Sequence, residues 1–336
     1  MASTPARPEY QQSTVEAEDE EKLYDDDGES FVNSCGLSTT SSVSSSIRHY
    51  QYDNGRRYHA FKEGAYNLPN DEEEQDRLNL HHHIHKLKLD GELYRAPIPT
   101  NVSRILDLGT GTGIWAIEIA DQFPKATVIG NDLSPIQPNW VPPNLQFEID
   151  DFEAEWVYTK PFDFIHARDL QGSVSDYDQL LQQAFRSLTP GGWFEFSDAD
   201  IIICGDDDTL QDASNLLEAN RLVLEASAQL GKVMGTARQH RRRLLDAGFT
   251  NIREETYKIP LSPWAKSPKL KELGKYHQVN MIESLDAYCF ALLTRVLGWH
   301  IDQVRVLLAG ARKELLDRRI HTYALWFHVY GQKPKD

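Results

Sequence analysis

Cysteine is scarce in this 336-residue chain, and the three present, Cys35, Cys204 and Cys289, share no short spacing. That excludes a disulfide framework and a cysteine-built zinc site, and it fits a reducing compartment. No apolar run approaches the roughly 20 residues a bilayer-spanning helix needs. No basic-then-apolar leader opens the sequence either, so an intracellular protein without a membrane partner is expected. Positive charge is also short: 35 Lys and Arg stand against 51 Asp and Glu, a net charge of −16. Such a chain offers no broad phosphate-binding surface, which excludes direct nucleic-acid binding and leaves a small molecule or a protein as the expected partner.

What is abundant is unevenly distributed. Residues 1–48 are rich in Ser, Thr, Glu and Asp, with an acidic run over 16–27 and a Ser/Thr run over 38–46. They bury too little apolar area to offset their ordering entropy and read as a disordered tail; a phosphorylated arm is the alternative. Residues 49–100 form a second segment. There Asn70, with Glu73 three residues on, has the form of a capping box opening a helix that runs to about Leu89 and stops at Asp90-Gly91. That helix carries His81-His82-His83-Ile84-His85. His81 and His85 share one helix face, yet no third ligand is conspicuous, so no metal is expected; lining a pocket or packing the helix are the remaining roles.

From 101 to 336 strands alternate with helices, which implies a parallel sheet. Apolar runs predict strands at Ser103–Leu108, Thr127–Asp132, Gln146–Asp150, Phe162–Ala167, Trp193–Asp198, Ile252–Tyr257 and Tyr323–Val329. A helical stretch at about 262–319 is too long for one crossover and reads as a lid above the carboxyl edge of the sheet. Arg241-Arg242-Arg243 ends an amphipathic helix and is a solvated face rather than a targeting signal.

The most informative run is VSRILDLGTGTG, residues 102–113. An apolar strand ends in Asp107 and is followed by Gly109, Gly111 and Gly113 at alternate positions. Glycine there lets a nucleoside approach the backbone of a βα turn and supplies positive φ. A dinucleotide fingerprint needs its third glycine at position 114, which is Ile114. A P-loop needs a lysine that Thr112-Gly113-Ile114 does not provide. What remains resembles motif I of the class I S-adenosylmethionine-dependent methyltransferases.

Three acidic strand ends accompany it. Asp107 orients the turn and favours the cofactor's amino group. Asp132 closes the second strand, where an acid accepts from both ribose hydroxyls, although an NAD enzyme uses an acid similarly. Leu133 beside it can pack on the adenine. Class I enzymes place an acid for the adenine amino group after strand three, followed by an apolar residue, and Asp151 and Phe152 fit that order. After strand four, Arg168 either holds an anion or braces its loop. Neither an amino-methylation motif nor a nucleophilic-cysteine loop follows that strand.

The resemblance narrows with residues 66–72 (YNLPNDE), Gln75-Asp76-Arg77-Leu78, His81-His82 and residues 91–98 (GELYRAPI), and with residues 132–138 (DLSPIQP), 188–193 (LTPGGW) and 330–334 (YGQKP). Together they resemble the fungal LaeA-like methyltransferases from about residue 50 to the end. This implies an α/β, Rossmann-like class I fold with a seven-stranded, mostly parallel sheet, helices on both faces and a helical lid. It also implies S-adenosylmethionine as cofactor, velvet-domain proteins among the partners, a regulatory role in secondary metabolism or development, and a nuclear or cytoplasmic location. Tyr66, Arg77 and His82 become candidates to close over the cofactor. Three readings stay open: a methyltransferase acting on a small molecule or protein, a cofactor-binding scaffold working through partners with little catalysis, and an NAD-dependent oxidoreductase. No general base is singled out among His82, His166 and the lid histidines.

Overall fold

The computed structural model describes residues 14–18, 50–53, 55–59 and 68–335. Tyr66, Cys35 and most of the expected tail lie outside them. A small antiparallel hairpin, β1 (Gln51–Asp53) and β2 (Arg56–Tyr58), leads into α1 (Glu72–Lys88). The cap of α1 is Asp71, whose carboxylate accepts from the Glu74 amide, and not Asn70 as the pattern suggested. Arg56 clamps Asp71 through two hydrogen bonds, while Asn70 is held by Arg57 and donates to Ser134 Oγ. The helix stops as expected, with Asp90 and Gly91 both at positive φ.

The sheet contains β3 (Arg104–Leu108), β4 (Thr127–Asp132), β5 (Leu145–Ile149), β6 (Phe162–Arg168), β7 (Leu188–Gly205), β8 (Thr250–Pro260) and β9 (Thr322–Gln332). Their order is β5-β4-β3-β6-β7-β9-β8, parallel from β5 to β7 and antiparallel where β9 inserts between β7 and β8. The expected seven-stranded, mostly parallel sheet is present, and its last two strands pair antiparallel.

Alternate residues of each strand serve different cores. Ile105, Phe164 and Trp193 face α2 (Ile114–Gln122), packing with Trp115 and Ile119. Leu106, Ile165, Phe194 and Phe327 face α3 (Tyr177–Ser187) and α5 (His240–Asp246), packing with Leu181 and Leu244. A third core lies at the carboxyl edge. There β7 and β9 run on to pair Ile203 with Ala324 and Gly205 with Thr322, forming a ledge. On it sit α4 (Ser214–Gln229), α6 (Pro268–Ala291) and α7 (Ile301–Leu316), joined by Ile84 of α1. The expected helical lid is therefore α6 and α7. Gly274 in α6 has the Ser262 carbonyl 2.4 Å from where a Cβ would stand, so this lid helix sits directly on backbone. Within the expected tail, Ala17 bridges Ala265 and the Glu18 amide donates to the Trp264 carbonyl, so residues 14–18 pack against the chain rather than standing free.

Candidate active site

All three glycines after β3 adopt left-handed backbone, at φ 63°, 58° and 80°, which costs other L residues energy. Their surroundings differ. A Cβ on Gly109 would stand 2.6 Å from Leu170 Cδ2, and one on Gly113 would stand 2.3 Å from the Phe147 ring. Gly111 meets nothing closer than Leu78 Cδ1 at 3.7 Å, so its α-carbon faces open space.

That space is a cavity of about 120 Å³ at the carboxyl ends of β3, β4 and β6. Asp107, Gly109, Gly111, Asp132, Leu133, Asp151, Phe152 and Arg168 of the candidate residues line it. Asp107 is buried, accepting from Thr110 Oγ1 at 2.6 Å and His166 Nδ1 at 2.8 Å, and so ties the turn to β6. Asp132 accepts from the Gly111 and Ser134 amides, both at 2.8 Å, while burial pushes its carboxyl up to about 6. Asp151 accepts from the Glu153 amide, and buried Phe152 forms an apolar wall with Leu133 and Leu170.

Arg168 and Lys232 are basic side chains in the lining of this cavity, which Asp107 shares. The first of them, Arg168, is held from behind. Its Nη1 donates to His82 Nδ1 at 2.9 Å, and burial drives the His82 imidazole down to about 2, so His82 is a neutral acceptor that fixes the guanidinium. His82 thus stands behind Arg168 rather than in the cavity wall, and its Nε2 lies 3.3 Å from Glu118. Gly113 faces Phe147 and not the cavity. The wall fits S-adenosylmethionine: acids for hydroxyl and amino groups, apolar surface for a ring, a cation for a carboxylate, and a glycine whose missing Cβ leaves room.

Arg77 points elsewhere. It is buried, bonded to Glu74 at 2.6 and 2.8 Å, and lines a second cavity of about 140 Å³ beneath the lid. That cavity is mostly apolar, walled by Ile201, Ile203, Val223, Met281, Leu285 and Trp326. Leu78, His81 and Asp169 line both cavities and mark the junction between them.

The junction is a short hydrogen-bonded chain. Asp169 follows β6 at φ 53°, a conformation uncommon outside glycine, and its Oδ1 accepts from the Ala199 amide at 2.9 Å. Its Oδ2 accepts from His81 Nε2 at 3.0 Å and His85 Nε2 at 2.9 Å. Burial works against the Asp169 charge, and the two imidazoles overcome it, holding the carboxyl well below the usual range. His81 in turn is lowered by burial, which Asp169 offsets only partly, so it is neutral at pH 7.

The tautomer of His81 follows from donors and acceptors. Arg77 Nη1, which can only donate, bonds Asn280 Oδ1 at 3.2 Å. The Asn280 amide must then present its NH₂ to His81 Nδ1, 3.2 Å away. Nδ1 therefore carries the lone pair, and the Nε2 proton goes to Asp169.

His81, His85 and Asp169 also form the set among the described residues closest to a metal site, their ligand atoms all within 4.8 Å of one another. A cation there would displace both Nε2 protons and leave protonated Nδ1 atoms facing donors: Asn280 Nδ2 on one ring, Lys88 Nζ at 3.2 Å on the other. The surrounding chemistry suits shared protons better than a metal ion.

The i,i+4 spacing of His81 and His85 was legible, and Asp169 adjoins a candidate residue. Asn280 and Trp326 carried no local signal. They reach the site only because α6 and β9 fold back over α1, with Trp326 centred 5.0 Å from His81 and 4.5 Å from His85.

Comparison with known proteins shows the family. A family model described as a methyltransferase domain matches residues 80–254. The chain is 40% identical over 298 residues to methyltransferase pytC of Aspergillus terreus, covering 88% of this chain and 92% of that one. It is 38% identical over 278 residues to the secondary metabolism regulator LAE1 of Cochliobolus heterostrophus, covering 81% and 91%. With the protein-methionine methyltransferase laeA of Emericella nidulans it shares 36% identity over 303 residues, covering 89% and 80%.

Proposed function

The chain belongs to the LaeA-like methyltransferases, enzymes dependent on S-adenosylmethionine, and from that premise we propose a division of labour between its two cavities. The cavity at the glycine turn holds the cofactor, and the apolar cavity under the lid holds the methyl acceptor. The observation that carries this is their junction: among the described residues, two separately lined spaces share Leu78, His81 and Asp169 alone.

On this reading Asp132 takes the ribose hydroxyls, Asp151 the adenine amino group, and Leu133 and Phe152 the ring. Asp107 and Arg168 serve the amino-acid portion, with His82 steadying Arg168 from behind. Gly109 and Gly111 admit the cofactor, and Gly113 seats the turn on Phe147. Arg77 acts on the acceptor side. Tyr66 is retained as a candidate to close over the cofactor on the family resemblance alone.

When bound, the cofactor supplies a methyl group already activated by its sulfonium charge, so the chain's own task is positioning. Asp169 presents negative charge where that cation would lie. The lid and the ledge of β7 and β9 exclude water from the acceptor. The acceptor is then a small, largely apolar molecule carrying one nucleophilic atom. A second reading draws on the name of the E. nidulans relative: an unbranched methionine side chain of a protein would fit the same walls. A pure scaffold leaves the second cavity without a task. A role in secondary metabolism, velvet-type partners and a nuclear or cytoplasmic location follow from the family likeness. No helix among the described residues is long and apolar enough to cross a membrane.

The test separates the cavities. With tritiated S-adenosylmethionine and 2-naphthol as an apolar probe, Asp132→Asn should lose cofactor binding by calorimetry. Val223→Trp should keep cofactor binding and lose methyl transfer. Loss of cofactor binding in Val223→Trp alone would reverse the assignment.

A further inference from the structure

We propose that His81 Nδ1 is the general base that takes the proton of the methyl acceptor, which makes the acceptor a hydroxyl or N–H compound rather than a thioether. The inference rests on reading the lid cavity as the acceptor site.

Three observations carry it. First, His81 is the basic residue that lines both cavities, so its ring stands where donor and acceptor must meet. Second, its protonation pattern is set from both ends. Donor-only Arg77 fixes the Asn280 amide, ionised Asp169 takes the Nε2 proton, and the Nδ1 lone pair is left toward the acceptor side. The Asn280 contact at 3.2 Å is a long hydrogen bond, and an acceptor O–H or N–H replaces it. Third, the charge balances in place. The acceptor's lone pair forms the new bond to the methyl carbon, and the methyl–sulfur bond breaks with its electron pair left on sulfur. The acceptor's proton passes to Nδ1. One positive charge leaves the sulfonium and one appears on His81, whose Nε2–H already points at Asp169. The carboxylate faces a cation before and after the step, so little reorganisation is required.

A thioether has no proton to give, and for it this arrangement would be idle. His81 would act as the catalytic residue. Asp169, Asn280 and the Glu74–Arg77 pair would be positioning residues, since they act through His81. Burial keeps the imidazole neutral, the form a base must start from. The groups facing it that shape its titration are Asp169 after β6, Arg168 at the end of β6, Arg77 and His85 on α1, and His277 on α6.

The experiment uses the full chain, tritiated S-adenosylmethionine and two probes of similar shape, 2-naphthol and methyl 2-naphthyl sulfide. Wild type should methylate the naphthol and leave the sulfide. His81→Gln should bind cofactor and naphthol within about threefold of wild type by calorimetry, yet lose roughly 10²–10⁴ in kcat. That deficit should shrink as pH rises toward ionisation of the naphthol, because naphtholate needs no base. Asp169→Asn should lower kcat more than it raises KM. Equal kcat in wild type and His81→Gln, preferred methylation of the sulfide, or no turnover by a wild type that binds both ligands would each overturn the proposal. Failure to bind cofactor or naphthol at all would instead sink the two-cavity reading, and this inference with it. An independent check is the ¹⁵N histidine spectrum of the wild type: His81 should be the Nε2–H tautomer, and an Nδ1–H tautomer would overturn the assignment.

Discussion

Replacing Gly111 and Gly113 by alanine, one at a time, should separate cofactor binding from folding within a single turn. Both residues sit in left-handed backbone, at φ 58° and 80°. That conformation costs an L residue about 1–2 kcal/mol, so each variant starts with this penalty. At Gly111 little is added, because the nearest atom to a new Cβ is Leu78 Cδ1 at ordinary contact distance, 3.7 Å. At Gly113 the Cβ would lie 2.3 Å from Phe147 Cζ and 2.8 Å from Cε1, so the ring must move within a packed core. Overpacking of this kind adds about 1–3 kcal/mol. Gly111→Ala should therefore lose about 1–2 kcal/mol and Gly113→Ala about 2–5 kcal/mol in urea unfolding, with unchanged m-values. Cofactor binding should rank the other way relative to stability. The Gly111 Cβ enters the cavity, and its affinity for S-adenosylhomocysteine should fall at least roughly tenfold, about 1.4 kcal/mol. The reasoning is refuted if Gly111→Ala is the less stable variant, or if it binds S-adenosylhomocysteine as wild type does.

Other expectations follow from buried charge. Burial holds the Asp132 carboxyl at about 6, and an ionised acid is the better hydroxyl acceptor, so cofactor affinity should be flat above about pH 7 and fall roughly tenfold per unit below 6. Calorimetry across pH would show this, and a flat profile down to pH 5 would refute it. Arg77→Met should cost about 3–5 kcal/mol in thermal or urea unfolding, because the Glu74 side chain is left buried without its partner. A loss under 1 kcal/mol would show that the pair is not buried as described. Lys88 is buried, and desolvation lowers its ammonium to about 7 in the fold. Because the folded value lies below the unfolded one, the penalty is fully present below pH 7 and fades as pH rises toward 10.5. Lys88→Met should thus raise stability on the order of 1–3 kcal/mol at pH 6 and much less at pH 10. Equal effects at both pH values would argue against a strained ammonium.

Much of this was legible in the chain. The alternation of strands and helices was enough to give a seven-stranded, mostly parallel sheet, and the long insert before the last strand gave the lid; the order of the strands came only with the structure. The glycine spacing alone selected a nucleoside-binding turn. Local cues failed where the partner is remote in sequence. Asn70 fits the capping pattern, yet Arg56 holds Asp71 in the cap instead, and Arg56 is 15 residues away. Arg77 and His82 belong to one helix signature, but Arg77 lines the lid cavity while His82 stands behind Arg168, which depends on how α1 lies between Arg168 and Asn280. Asn280 and Trp326 come from elements that a parallel-sheet pattern does not place. The short bridge from Ala17 to Ala265 was hidden because the residues around it are polar and acidic.

The most direct measurement is a structure with S-adenosylhomocysteine bound. The account expects the adenosyl group between the Gly109–Gly111 turn, Asp132 and Asp151, with the sulfur directed past Leu78 toward His81, Asp169 and the lid cavity. A sulfur directed away from that junction, or a nucleoside bound elsewhere on the chain, would contradict it.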